Sequence, residues 1–90
     1  MYYQKNITLF SYFGLKFYFT PDDQLPIHVH ISAEDVEARY QIFPKLQLVE
    51  NGGLNARDLR LAEMAMEENR DIIIIRWKIH FKYTSTENLL

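Results

Sequence analysis

The sequence predicts an α+β fold: an antiparallel sheet of three to four strands, laid down as an N-terminal meander and covered on one face by two C-terminal helices. Three observations predict it. β-Branched and aromatic residues in short alternating runs dominate up to Gly52-Gly53. Helix formers and charges dominate after that point. The connections between the alternating runs are short, which suits hairpins and not parallel crossovers.

The first strand is expected from Ile7 to Tyr12, with Gly14 in the turn. The second runs from Leu15 to Thr20, with Leu15, Phe17 and Phe19 on one face and Lys16, Tyr18 and Thr20 on the other. A loop opens at Pro21-Asp22-Asp23 and closes at Pro26. The third strand, Ile27 to Ser32, sets Ile27, Val29 and Ile31 against His28, His30 and Ser32. Glu34-Asp35 makes the next turn. The fourth strand, Val36 to Ile42, sets Val36, Ala38, Tyr40 and Ile42 against Glu37, Arg39 and Gln41. Pro44 ends it, and Lys45 to Val49 reads as extended chain or a short extra strand.

Asn55 is a helix N-cap, and Asp58 suits the positive end of the helix that follows to about Glu68. Leu59, Ala62 and Met66 form its apolar stripe. From Asn69 to about Lys82 two signals conflict. The run Ile72-Ile73-Ile74-Ile75 has strand propensity, while Ile74, Trp77 and Phe81 fall at helical spacing. The charged approach, Glu67-Glu68-Asn69-Arg70-Asp71, suits a helix, and a helix is the expectation. Residues after Tyr83 read as a frayed tail. Met64, Met66 and Trp77 read as core.

Ninety residues make one domain with a core of about residues 7–82. Apolar residues are 48% and aromatic ones 14%, enough to disfavour disorder. Cysteine is absent, which excludes disulfides, thiolate metal sites and cysteine nucleophiles and fits the cytoplasm. A net charge of −2 disfavours a nucleic-acid partner. No apolar run approaches membrane length, so no membrane role is expected. The segment Ile7 to Leu15 imitates the apolar part of a signal peptide, but it lacks a small-residue cleavage site and continues as a strand. The phosphate-cradling glycine loop, the Gly-x-Ser-x-Gly elbow and the His-Glu-x-x-His helix are all missing.

The polar face of the sheet is where function is expected. With helices on the apolar face, Lys16, Tyr18, His28, His30, Ser32, Glu37, Arg39 and Gln41 share the other. Same-face neighbours on a strand lie roughly 6–7 Å apart, so two imidazoles can converge on one ligand. Three readings stay open, with action through a protein partner as the leading expectation and a metal or nuclease site on His28 and His30 as the alternative. His28 and His30 with Glu37 form a two-His-one-carboxylate set for a divalent metal. Alternatively, His28 and His30 act as general base and acid of a metal-independent nuclease, with Arg39 or Lys16 steadying the phosphate. Or the face meets a protein partner. The plain alternative to all three is a solvated sheet face carrying cross-strand polar pairs. Whether the chain is an enzyme is left open. His80, three residues after Trp77, is expected at the edge of the core-facing stripe, away from the pair. Polar strand edges would also allow a homodimer.

The motif order resembles a known family. Gly14-Leu15-Lys16-Phe17-Tyr18-Phe19, Pro26-Ile27-His28-Val29-His30-Ile31, Glu37-Ala38-Arg39-Tyr40, Gly53-Leu54-Asn55, Asp58-Leu59, Glu67-Glu68-Asn69-Arg70, Trp77 and Phe81 together resemble domain-of-unknown-function family 4160. The resemblance runs from about Ile7 to Lys82, and Pro-x-His-Val-His is its most specific part. The sequence departs from the family pattern at Ile27, where a second proline is usual, and at the loop Asp22-Asp23-Gln24-Leu25. The resemblance implies a small bacterial α+β domain with a helical C-terminal half. It also implies a protein partner, in a two-gene module like those of toxin–antitoxin pairs. It implies no mechanism.

Overall fold

The computed structural model describes residues 5–81, so the expected frayed tail lies outside the described residues. Five strands precede two helices: β1 (Ile7–Tyr12), β2 (Leu15–Phe19), β3 (His28–Ala33), β4 (Val36–Gln41), β5 (Gln47–Asn51), α1 (Ala56–Glu68) and α2 (Arg70–Phe81). The strands form one antiparallel sheet in sequential order, β1 to β5. The expectation of three to four strands is therefore corrected to five. β5 pairs with β4 from Gln41↔Gln47 to Ala38↔Asn51. All five of its residues are exposed, so it has no buried face to imprint an alternating pattern on the sequence.

The hairpin turns follow from local chemistry. Phe13 and Gly14 both take positive φ, 51° and 82°, as a two-residue turn matched to strand twist requires. Glu34 takes φ 57° in the β3–β4 turn. Gly52 donates to the Glu37 carbonyl at 2.7 Å, and a Cβ there would lie 2.6 Å from that same oxygen. Only glycine lets the two backbones approach this closely.

The core holds the residues that alternation assigns to it: Leu15, Phe17, Phe19, Ile27, Val29, Ile31, Ala38, Tyr40 and Ile42 from the sheet side. Ala62, Ala65 and Met66 of α1 and Ile73 and Trp77 of α2 pack against them. Trp77 meets Phe19 edge-on at 5.2 Å and Phe81 at 4.3 Å. Tyr40 donates to Glu63 Oε2 at 2.6 Å, tying β4 to α1. Burial, and after it the Glu63 carboxylate, push the Tyr40 pKa upward.

Asn55 caps α1 by accepting from the Asp58 N–H at 2.8 Å. The conflict over Ile72 to Ile75 is resolved as helix. Ile74, Trp77 and Phe81 pack on the core as their spacing predicts, and Ile73 joins them as the fully buried isoleucine of α2. Two details differ from the expected facing. Met64 is 54% exposed, because two residues turn a helix about 200° away from buried Met66. His80 is exposed and sits on no core stripe. Arg70 fastens the start of α2 to the sheet, donating to the carbonyls of Ile42 at 3.1 Å and Pro44 at 2.8 Å. No helix among the described residues is long and apolar enough to cross a membrane.

Candidate functional site

Strand register places the expected residues in rows on the face away from Val29 and Ile31. One row is Tyr18–His30–Arg39 and the next is Lys16–Ser32–Glu37. His28 pairs with Gln41 at the start of β3. The face is not simply solvated. The loop from Thr20 to Ile27 folds onto it, leaving Tyr18, Asp23 and His30 buried at 7–8% exposure. The His30 ring stacks on Tyr18 at 5.2 Å, and the His28 ring lies edge-on to it at 5.3 Å. His28 also reaches within 5.5 Å of the Trp77 ring, so the strand-end histidine touches α2 despite its place on the polar face.

Asp23 joins the two rings. Its Oδ1 lies 3.0 Å from His28 Nε2 and 3.1 Å from His30 Nε2. Thr20 holds the carboxylate in place, its N–H donating to Oδ2 at 2.8 Å and its hydroxyl to Oδ1 at 2.5 Å. The other ring nitrogens are also engaged. His28 Nδ1 lies 2.9 Å from the Pro26 carbonyl, and His30 Nδ1 lies 3.0 Å from Glu37 Oε2. A carbonyl or carboxylate oxygen can only accept, so each Nδ1 carries the proton and donates.

The electrostatics follow from this crowding of rings and carboxylates. Burial works to raise the Asp23 pKa, but bonds from His28, His30 and Thr20 outweigh it and hold the carboxyl well below its usual range. Burial works to lower the His30 pKa, but Asp23 and Glu37 outweigh it and hold the ring above 6.5. Burial and the Glu37 carboxylate push Tyr18 up to about 12.

Four of the sequence-derived site residues, His28, His30, Glu37 and Arg39, are neighbours here. Glu37 meets the outer nitrogen of His30 and so orients that ring, while the oxygen shared by both rings is Asp23's. Arg39 stands beside His30 and faces Glu50 at 3.5 Å. Two clefts, of about 280 and 260 Å³, flank the pair, and Arg39 lines both. His30 opens on the first and His28 on the second. Lys16 is exposed, one row away from His30.

Sequence reasoning missed Asp23. The available signal was its place in a short loop between two strands that already carried the candidate face. Asp23, His28 and His30 form a group whose potential metal-ligating atoms all lie within 4.8 Å of one another.

A family model described as "Domain of unknown function (DUF4160)" matches residues 14–78, a span that contains every residue of this site. No curated protein and no solved structure matches the chain.

Proposed function

The chain belongs to the DUF4160 family, and from that premise we propose that it is a metal-binding domain. Asp23 Oδ1, His28 Nε2 and His30 Nε2 would hold one first-row divalent ion. The observation that carries the reading is a proton count. Each Nδ1 already donates to a fixed oxygen, so a neutral ring presents a bare lone pair at Nε2. Both lone pairs then point at the same ionised oxygen at 3.0 and 3.1 Å, which is repulsive unless positive charge lies between them.

A second proton on each ring is one source of that charge, and a metal ion is the other. Two features favour the metal. One ligand atom from each of Asp23, His28 and His30 lies within 4.8 Å of the other two, so the three can converge on one ion. A ligating histidine also ordinarily donates its second N–H to a carbonyl or carboxylate, the roles that Pro26 and Glu37 fill. Imidazole with carboxylate suits zinc, iron or nickel better than magnesium or calcium.

The nuclease reading gains less support from the same geometry. A general base needs a bare nitrogen facing its substrate. Here every ring nitrogen of the pair faces a protein oxygen.

The test is metal analysis of the full chain purified without a histidine tag, followed by calorimetric titration with Zn²⁺, Co²⁺, Ni²⁺ and Mn²⁺. About one ion per chain is expected, with a cobalt spectrum that shows nitrogen ligation. Binding no tighter than that of the His28→Ala/His30→Ala variant would overturn the reading.

A further inference from the structure

The α2 helix presents an apolar face that nothing in the chain's described residues covers. Ile72, Ile75 and Ile79 are 55%, 53% and 56% exposed, at spacings of three and four. Ile73 and Trp77, on the opposite side of the same helix, are fully buried. The exposed three therefore form one straight stripe over two helical turns. Single exposed apolar residues are ordinary, but a contiguous row marks an interaction surface.

The charges beside the stripe say what fits it. Asp71 and Lys78 lie along one flank, near opposite ends of the helix. Arg76 and His80 lie along the other, where Arg76 is engaged with its own chain, donating to the Thr8 carbonyl at 3.3 Å. The Asp71–Lys78 flank is complementary to its own reverse. If a second α2 is laid antiparallel across a two-fold axis, Ile75 meets Ile75 of the second copy. Ile72 then meets Ile79, and Asp71 meets Lys78, twice by symmetry.

We propose that the stripe is a self-association surface, and that a second copy of this chain covers it by antiparallel α2–α2 packing. A membrane surface fits less well. Helices that lie on membranes carry mostly free Lys and Arg beside the apolar face, whereas here one flank sets Asp71 against Lys78 and Arg76 on the other is engaged with the Thr8 carbonyl. Three isoleucines supply less than the roughly 800 Å² per partner of a standard stable interface. The dimer is accordingly weak and forms over the micromolar range. The proposal is independent of the metal reading.

Sedimentation velocity of the full chain over a concentration series tests it, with circular dichroism confirming that each variant is folded. Wild type should pass from monomer to dimer as concentration rises. Ile75→Glu, an exposed position, should stay folded and monomeric. Asp71→Lys and Lys78→Asp should each weaken association by roughly tenfold, and the double swap should restore most of it. A wild type that stays monomeric at its highest soluble concentration overturns the proposal. So does a double swap no better than the single variants, or an Ile75→Glu variant that still dimerises. Stripe-dependent binding to anionic vesicles or to a different protein, without self-association, also overturns it.

Discussion

Asp23 and His30 are joined by a 3.1 Å contact between Oδ1 and Nε2, which fastens the loop after β2 to the middle of the polar sheet face. The same carboxylate oxygen serves His28. Removing its charge should therefore affect both rings. Asp23→Asn is expected to abolish measurable binding of a divalent ion. Glu37→Gln, which changes only the group that orients His30, should weaken binding by about 10–100-fold. Calorimetric titration of both variants checks this. Affinity in Asp23→Asn close to that of wild type would mean that Asp23 is not a ligand.

The metal-free chain should be most stable in mildly acidic solution. The Asp23 pKa is depressed in the folded chain, so its contribution is complete above about 4 and is lost as pH falls below that. The His30 pKa is raised, so its contribution is complete below about 6.5 and is lost as pH rises through the folded value. Metal loading should reverse the upper arm, because a ring must give up its Nε2 proton to ligate. Urea midpoints against pH, with and without Zn²⁺, should diverge above about 6.5. Parallel curves would contradict the metal site.

Ile73 and Ile75 provide a matched pair on α2. Ile73→Ala should cost about 2–5 kcal/mol, because the side chain is fully buried beside Trp77. Ile75→Ala should change monomer stability by no more than about 0.5 kcal/mol in dilute solution. Chemical denaturation of both variants reads the difference.

Gly52→Ala should cost about 1–3 kcal/mol, because its Cβ would sit 2.6 Å from the Glu37 carbonyl oxygen and force the backbone apart. The same shift moves Glu37 from His30, so metal affinity should fall along with stability. A variant with lowered stability and unchanged affinity would separate the turn from the site.

Most of the fold was legible because most elements have one buried face. The alternation in β2, β3 and β4 marks Phe17, Val29, Ile31 and Tyr40 as core, and all are buried. Asn55 marks the start of α1 through its capping chemistry. β5 was faint because neither of its faces is buried. The facing of α2 was legible in the Ile74–Trp77–Phe81 spacing, but four consecutive isoleucines carry no periodicity of their own to mark Ile73 as the most buried of them. At the site, the histidines were legible because strand alternation places both on one face. Asp23 was not, because loops have no period. Its position depends on the Thr20 bonds and on where the chain must re-enter the sheet.

The candidate site is also local in sequence. Its three proposed ligands and the two groups that orient the rings, Asp23, Pro26, His28, His30 and Glu37, all come from one loop and one hairpin. The surface that invites a second copy lies far along the chain, on the last described helix. Mutational drift on the exposed side of α2, away from the Trp77 ring that meets His28, can thus change how copies assemble while leaving the ligand atoms intact. The loop and hairpin, in turn, form a cassette short enough to be grafted between β-meander scaffolds.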